Sequence, residues 1–144
     1  TLPGQSVNAS AGGGFAPFSP AVNFASFSGD TTTIRFFLAD QTTAGLVNGF
    51  GAVFTDVEGA ARSSLRFFDA TGALLRQVFA EPGPSGGNQF VGCQFPAPGV
   101  ARVEIDMGDN LSFGVSLEDP AGGGDDHVVV DDIRFFKSVT QSPP

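Results

Sequence analysis

The sequence predicts an all-β protein, a two-sheet antiparallel β-sandwich of eight or nine short strands. Three observations predict it. Twenty Gly and ten Pro interrupt the chain at short intervals, and punctuation of that density separates strands rather than helices. No stretch of ten or more residues carries an apolar pattern of period 3.6. The third observation is a tetrapeptide, Ile/Leu-Arg-Phe-Phe, found at Ile34–Phe37, Leu65–Phe68 and Ile133–Phe136. Its three copies use three of the seven basic residues and six of the sixteen Phe. In an extended chain, side chains alternate between faces. The Ile or Leu and the first Phe therefore share one face, while Arg and the second Phe share the other. Each copy is a strand with a large apolar group on both sides. Something must cover the second face: another sheet, a neighbouring subunit or a ligand.

The elements follow in order. Residues 1–18 form a Gly/Ser/Ala arm around Gly12-Gly13-Gly14, with Phe15 and Phe18 near its end. Strands are expected at 20–28, 31–39, 49–57, 63–69, 73–80, 88–95, 100–107, 111–117 and 127–137, all within a domain spanning 19–138. The breaks are turn chemistry: Ser28-Gly29-Asp30, Asp69-Ala70-Thr71-Gly72, Pro82 to Gly87, Pro96 to Gly99 and Gly108-Asp109-Asn110. Asp69 to Gly72 reads as a type I hairpin turn. The segment 100–107 alternates cleanly, with Ala101, Val103, Ile105 and Met107 inward and Arg102, Glu104 and Asp106 outward. Residues 139–144 form a short tail. Strands and turns of this kind make a jelly roll the expected connectivity. At 144 residues a single domain buries roughly 68–70% of its unfolded surface without staples.

Composition narrows the partners. A net charge of −8 argues against nucleic acid and anionic membrane surfaces, because phosphate recognition needs a basic face. Divalent cations, neutral polysaccharide and other protein surfaces stay open. There is no transmembrane run. Cys93 is the only cysteine and pairs with nothing internally; alternation puts it beside Val91 and Phe95 as a small buried hydrophobe. The one His, His127, stands beside Asp125 and Asp126, and nothing marks it as a partner for a nucleophile. Low Lys (Lys137 alone) with abundant Thr, Ser, Gly and Asn fits an exported bacterial protein, and the start at Thr1 without Met reads as processed or as trimmed for expression.

Two regions carry a family likeness. Val47-Asn48-Gly49-Phe50-Gly51-Ala52-Val53-Phe54-Thr55-Asp56-Val57 leads to Leu65-Arg66-Phe67-Phe68-Asp69-Ala70-Thr71-Gly72. Later come Phe90 to Phe95, Ala101 to Ile105, and Val128-Val129-Val130-Asp131-Asp132-Ile133. Across about residues 20–137 this order resembles the jelly-roll domains of exported bacterial proteins associated with PEP-CTERM sorting. The closing Val-Asp-Asp-Ile is also similar to the last strand of calcium-stabilised carbohydrate-binding modules. That resemblance implies a secreted or cell-surface location and a structural calcium held by Asp131 and Asp132, with Asp30 near the first strands. The chain departs from such modules in having no Trp and no Tyr.

The acidic residues are the chemical lead. Alternation places Asp131 on the row of Val129, Ile133 and Phe135, and Asp56 on the row of Phe50, Ala52 and Phe54. A carboxylate on a core-facing row is costly unless hydrogen-bonded or metal-bound, and calcium favours oxygen ligands of this kind. The alternative is that these acids cap backbone amides or pair with Arg35, Arg66 or Arg134. The loop Gly122 to Asp126 is a second, weaker calcium candidate. Glu104 and Asp106 share an outer row at a spacing compatible with a retaining carboxylate pair, but a charged row on an exposed strand is the commoner case. Ser63-Ser64 has neither a nearby His nor a nucleophile-elbow pattern.

Arg35 with Phe37, Arg66 with Phe68, and Arg134 with Phe136 form outward Arg/Phe pairs suited to cation–π contact or to a partner surface. Two readings follow. The first is a non-catalytic extracellular structural or adhesive subunit that packs against copies of itself, in a filament or oligomer, with Phe15, Phe18 and the rest of the arm docking on a neighbour's sheet edge. The second is a carbohydrate-binding module.

Overall fold

The structure is a computed structural model that describes residues 31–108, 126 and 128–135, together with the backbone of two short strands at 5–7 and 23–25. Among these residues every regular element is a strand: β1 Gln5–Val7, β2 Asn23–Ala25, β3 Thr31–Arg35, β4 Gly49–Thr55, β5 Ser64–Phe68, β6 Leu74–Phe79, β7 Asn88–Gln94, β8 Arg102–Asp106 and β9 Val129–Phe135. They build two antiparallel sheets, ordered β1-β2-β9-β4-β7 and β3-β8-β5-β6. The sheets face one another across a common apolar core, the arrangement of a β-sandwich.

Most strands fall where the sequence places them, shortened at the ends. The expected strand at 31–39 stops at Arg35 because Asp40 organises a turn: its carboxylate accepts the Thr42 and Thr43 N–H groups at 3.0 and 2.8 Å. The expected strand at 111–117 lies outside the described residues. β1 comes from the arm, and it pairs with β2 of its own chain. A segment tethered to its own sheet meets that edge at high effective concentration.

Alternation decides the core. Leu65 and Phe67 of β5, and Val103 and Ile105 of β8, point inward and are fully buried, followed by Met107. Phe50, Ala52 and Phe54 of β4 face them from the other sheet, joined by Val91 of β7 and Val130 of β9. Phe67 packs edge-on against Phe95 across the sandwich, with ring centroids 5.6 Å apart. Cys93 shares this inner row, half-buried and packed against the core. β4 is flanked on both sides, by β9 and β7, and all seven of its residues are buried.

The hairpin between β5 and β6 follows the predicted turn. Gly72 N–H donates to Asp69 C=O at 3.1 Å, and Asp69 N–H donates to Ala73 C=O at 3.0 Å. The Asp69 carboxylate accepts the Thr71 and Ala73 N–H groups. Gly72 sits at φ +88°, where a Cβ would be strained.

One irregularity has wider effects. Along β4 the step from Val53 to Gly51 covers two residues, while the facing step on β9 runs from Asp131 to Arg134. β9 therefore carries one extra residue, a β-bulge, with Asp132 at φ +47°. The bulge breaks the simple alternation. Val130 pairs with Phe54 and faces the core, Val129 and Asp131 face outward opposite Thr55 and Val53, and Phe135 returns inward opposite Phe50. The expectation that Asp131 shares a core-facing row with Ile133 and Phe135 is thus corrected.

The sealed and open parts of the core should respond differently to truncation. Phe67→Ala should cost about 3–5 kcal/mol in urea unfolding. Phe135→Ala, at a position 59% exposed, should cost less than half as much; equal losses would contradict this division of the core.

Candidate functional site

The three tetrapeptide copies meet different fates. In the second copy, Leu65 and Phe67 are sealed in the core. The inward residues of the first and third copies instead meet where the core is left open. Phe36 touches Phe50 at a centroid distance of 6.1 Å and Phe135 at 5.7 Å. Beyond this trio lies a groove of about 790 Å³ lined by Ile34, Phe36, Phe37, Leu38, Ile133 and Phe135. Phe37 is 52% exposed and Ile133 38%. Arg35 and Asp40 also line it, adding one charge of each sign. The expected partner residues Arg35 and Phe37 are therefore brought to one apolar surface, together with Ile133 and Phe135, which the sequence reading assigned to the core.

The outward pair of the second copy is otherwise engaged. The outer face of the four-stranded sheet forms cross-strand rows, among them Thr31, Asp106 and Ser64, then Thr33, Glu104 and Arg66, then Arg35, Arg102 and Phe68. Arg66 grips Asp106 with two hydrogen bonds of 2.9 and 2.8 Å and reaches Glu104 at 3.2 Å. Thr31 and Ser64 hydroxyls donate to the same Asp106 carboxylate at 2.7 and 2.9 Å. Phe68 is covered by the guanidinium of Arg102, 4.0 Å from its centroid, and Arg102 in turn meets Glu104 at 3.3 Å. The cation–π contact is present but comes from a neighbouring strand, and Arg66 and Phe68 are both engaged within the outer face of their own sheet.

That network sets the ionisation of Asp106. Burial alone raises its pKa. Hydrogen bonds from Arg66, Thr31 and Ser64, with the Arg66 charge, outweigh burial and hold the carboxyl below its ordinary value of 3.8. A general acid for glycoside cleavage needs the opposite shift.

On the outer face of the five-stranded sheet, the row Phe90, Val53 and Asp131 lies beside the row Gly92, Gly51 and Arg134. The glycines leave a hollow that Phe90 fills. A Cβ on Gly51 would collide with Cζ of that ring, and one on Gly92 would lie 3.0 Å from its Cε1. Phe90 is nevertheless 63% exposed. Next to it a pocket of about 310 Å³ is lined by Val53, Asn88, Gln89, Phe90, Asp132 and Arg134. Arg134 approaches Asp132 at only 3.7 Å. Sequence reading missed Phe90, although Gly51 and Gly92 were in view: their facing positions emerge only with the strand register.

The acids divide by environment. Asp56 is buried at φ +68° just beyond β4, where its carboxylate accepts the Gly86 N–H. Asp126 is buried and accepts the Glu58 and Gly59 N–H groups at 3.1 and 3.0 Å. Both act as backbone caps. Asp131 Oδ1 accepts the Asp132 N–H at 2.7 Å, whereas its Oδ2 is buried with no hydrogen-bond partner among the described residues. An orphaned carboxylate oxygen of this kind suits a cation. No group of three or more His, Cys, Asp or Glu side chains converges among the described residues, so Asp131 fits as one ligand without a full acidic cage. Asp30, Phe15, Phe18, Phe136, Asp125 and His127 lie outside the described residues. Comparison of the chain with protein-family models, curated proteins and solved structures found no match.

Because the folded-state pKa of Asp106 is depressed, its stabilisation is present above pH 3.8 and is lost as pH falls through the lower folded value. Asp106→Asn should cost about 1.5–3 kcal/mol at neutral pH, and its deficit should shrink below pH 3.8. A pH series of urea melts checks both; a deficit independent of pH would contradict the assignment.

Proposed function

We propose that this chain is a non-catalytic, exported β-sandwich subunit of jelly-roll connectivity that associates with copies of itself at a cell surface. The single observation that carries the reading is the apolar groove at the open end, where two copies of one tetrapeptide leave Phe37, Ile133 and Phe135 facing solvent. Contiguous apolar surface of this kind marks an interface. The strand orders β1-β2-β9-β4-β7 and β3-β8-β5-β6 support the jelly-roll reading, since the chain crosses between sheets repeatedly from β2 to β5 and from β6 to β9 while strands distant in sequence become neighbours.

A second surface supports a copy of the same chain as the partner. β6 ends its sheet, and among the described residues nothing pairs with its outer edge. It exposes Leu74, Leu75 and Phe79, with Arg76 as its only charge. An edge with free backbone groups and apolar side chains readily accepts another protein surface. β3, which leads into the groove, forms the opposite edge of that sheet. Contacts between a groove on one edge and a strand on the other are head-to-tail, and such contacts propagate into filaments unless the rotation closes a ring. A structural calcium at Asp131 belongs to the same reading, supported by its orphaned Oδ2.

Electron microscopy and light scattering test assembly directly. Wild-type protein should form filaments or rings, and Phe37→Asp and Phe79→Asp should each return it to monomer with an unchanged far-UV spectrum. Monomeric wild-type protein, or assembly indifferent to both substitutions, would sink the proposal. Separately, calcium added to chelated protein should raise the melting temperature, and Asp131→Asn should abolish that rise. No calcium response in the wild type removes the ion from the reading.

A further inference from the structure

We propose that the apolar groove at the open end of the sandwich binds one long-chain carboxylate, its alkyl chain in the groove and its head group on Arg35. This is the groove that assembly uses in the reading above, so a bound carboxylate and a second copy exclude each other. That regulatory consequence rests on the assembly reading; the binding itself does not. Two observations select the ligand, and the first is the lining. Apart from Arg35 and Asp40, every side chain around the groove is apolar. A sugar or a peptide laid there would have its hydroxyls or amides desolvated without partners. An alkyl chain has no such groups to lose. The volume, about 790 Å³, falls within the range of small-molecule sites, about 300–1,000 Å³.

The second observation is the charge beside that lining. Arg66, Arg102 and Arg134 each meet a carboxylate. Arg35, exposed at the end of β3, makes no ion pair among the described residues. Its cross-strand partner on β8 is Arg102, and like charges set directly opposite are unfavourable. Glu104 meets Arg102 at 3.3 Å, which leaves the Arg35 guanidinium as the unmatched charge. Asp40 is turned to its own loop, where its carboxylate accepts the Thr42 and Thr43 N–H groups and the Thr43 hydroxyl. It therefore offers little to a cationic head group. Arg35 offers N–H donors in a planar fork that matches a carboxylate. The complement of this groove is one anionic end on an otherwise apolar body. The net charge of −8 opposes an anion only weakly here, since charges more than about 8 Å away are screened at physiological salt.

Calorimetric titration with octanoate, decanoate and dodecanoate, each below its micellar concentration, provides the test. It is run on the wild type and on full-length Phe79→Asp protein, because Phe79 lies on β6 and does not line the groove. Binding is then read whether or not the wild type assembles. Affinity should rise about two- to fourfold per added methylene. Arg35→Gln should weaken decanoate about tenfold and leave 1-decanol unchanged, and Arg35→Lys should restore part of the loss. Phe37→Ala, at an exposed position, should weaken the acid and the alcohol alike. The proposal is overturned if dodecanoate does not bind, if decyltrimethylammonium binds as tightly as decanoate, or if Arg35→Gln binds decanoate like the wild type. An Arg35→Gln protein that loses acid and alcohol equally overturns it as well. Dodecanoate binding to a wild type that never assembles would count against the assembly reading alone.

Discussion

Alternation along an extended backbone binds the two faces of a strand together, so a residue that closes the core also fixes what its neighbours do outside. In β5 the inward Leu65 and Phe67 force Arg66 and Phe68 outward, where β8 supplies Asp106, Glu104 and Arg102 to meet them. In β4 the inward Phe50, Ala52 and Phe54 leave Gly49, Gly51, Val53 and Thr55 for the other side. The bulge at Asp131 and Asp132 relaxes this constraint on β9. It lets Val130 and Phe135 both reach inward although they stand five positions apart, an odd interval that strict alternation forbids.

Much of the architecture was legible in the sequence because it depends on that period. The strand at 102–106 and the two faces of 65–68 follow from side-chain type alone. The hairpin at Asp69 to Gly72 follows from turn chemistry that acts locally. The reversal at Asp131 was not legible. A bulge costs one residue and leaves no change in hydrophobic pattern, and its φ of +47° falls on Asp, which tolerates that conformation better than most residues. The candidate surfaces were legible in part. Phe37 and Arg35 were visible as an outward pair, but the partnership of Phe36 with Phe135 joins residues about a hundred positions apart and needs the tertiary arrangement. Phe90 was hidden for the same reason: its value depends on Gly51, a residue on another strand.

The repeated tetrapeptide shows how context assigns roles to identical chemistry. On β5, between β8 and β6, the motif has neighbours on both sides and becomes core plus ion-pair network. On β3 and β9 the same residues reach an end of the sandwich and become surface. Burying Phe on one strand and presenting it on two others needs no difference in the motif, only a difference in what the rest of the chain places beside it. The charge pattern follows the same logic. Asp56, Asp106 and Asp126 are each held by hydrogen bonds or a cation, so part of the net negative charge is committed to holding loops and strands in place.

The strand order also sets the timetable of folding. β2 and β4 both pair with β9, and β3 pairs with β8, so both sheets join the first third of the chain to its final third. Such contacts close large loops before they are rewarded, which slows folding. Among the described strands only the β1–β2 and β5–β6 pairs form from strands consecutive in the chain. During synthesis, which runs from the N-terminus, β4 waits for β9 to emerge before it can be flanked on both sides. Its Phe50 and Phe54 are thus without their final surroundings until β9 has emerged. A sheet whose buried strand must wait for one made some eighty residues later stays open, and threadable, through the synthesis of everything between them.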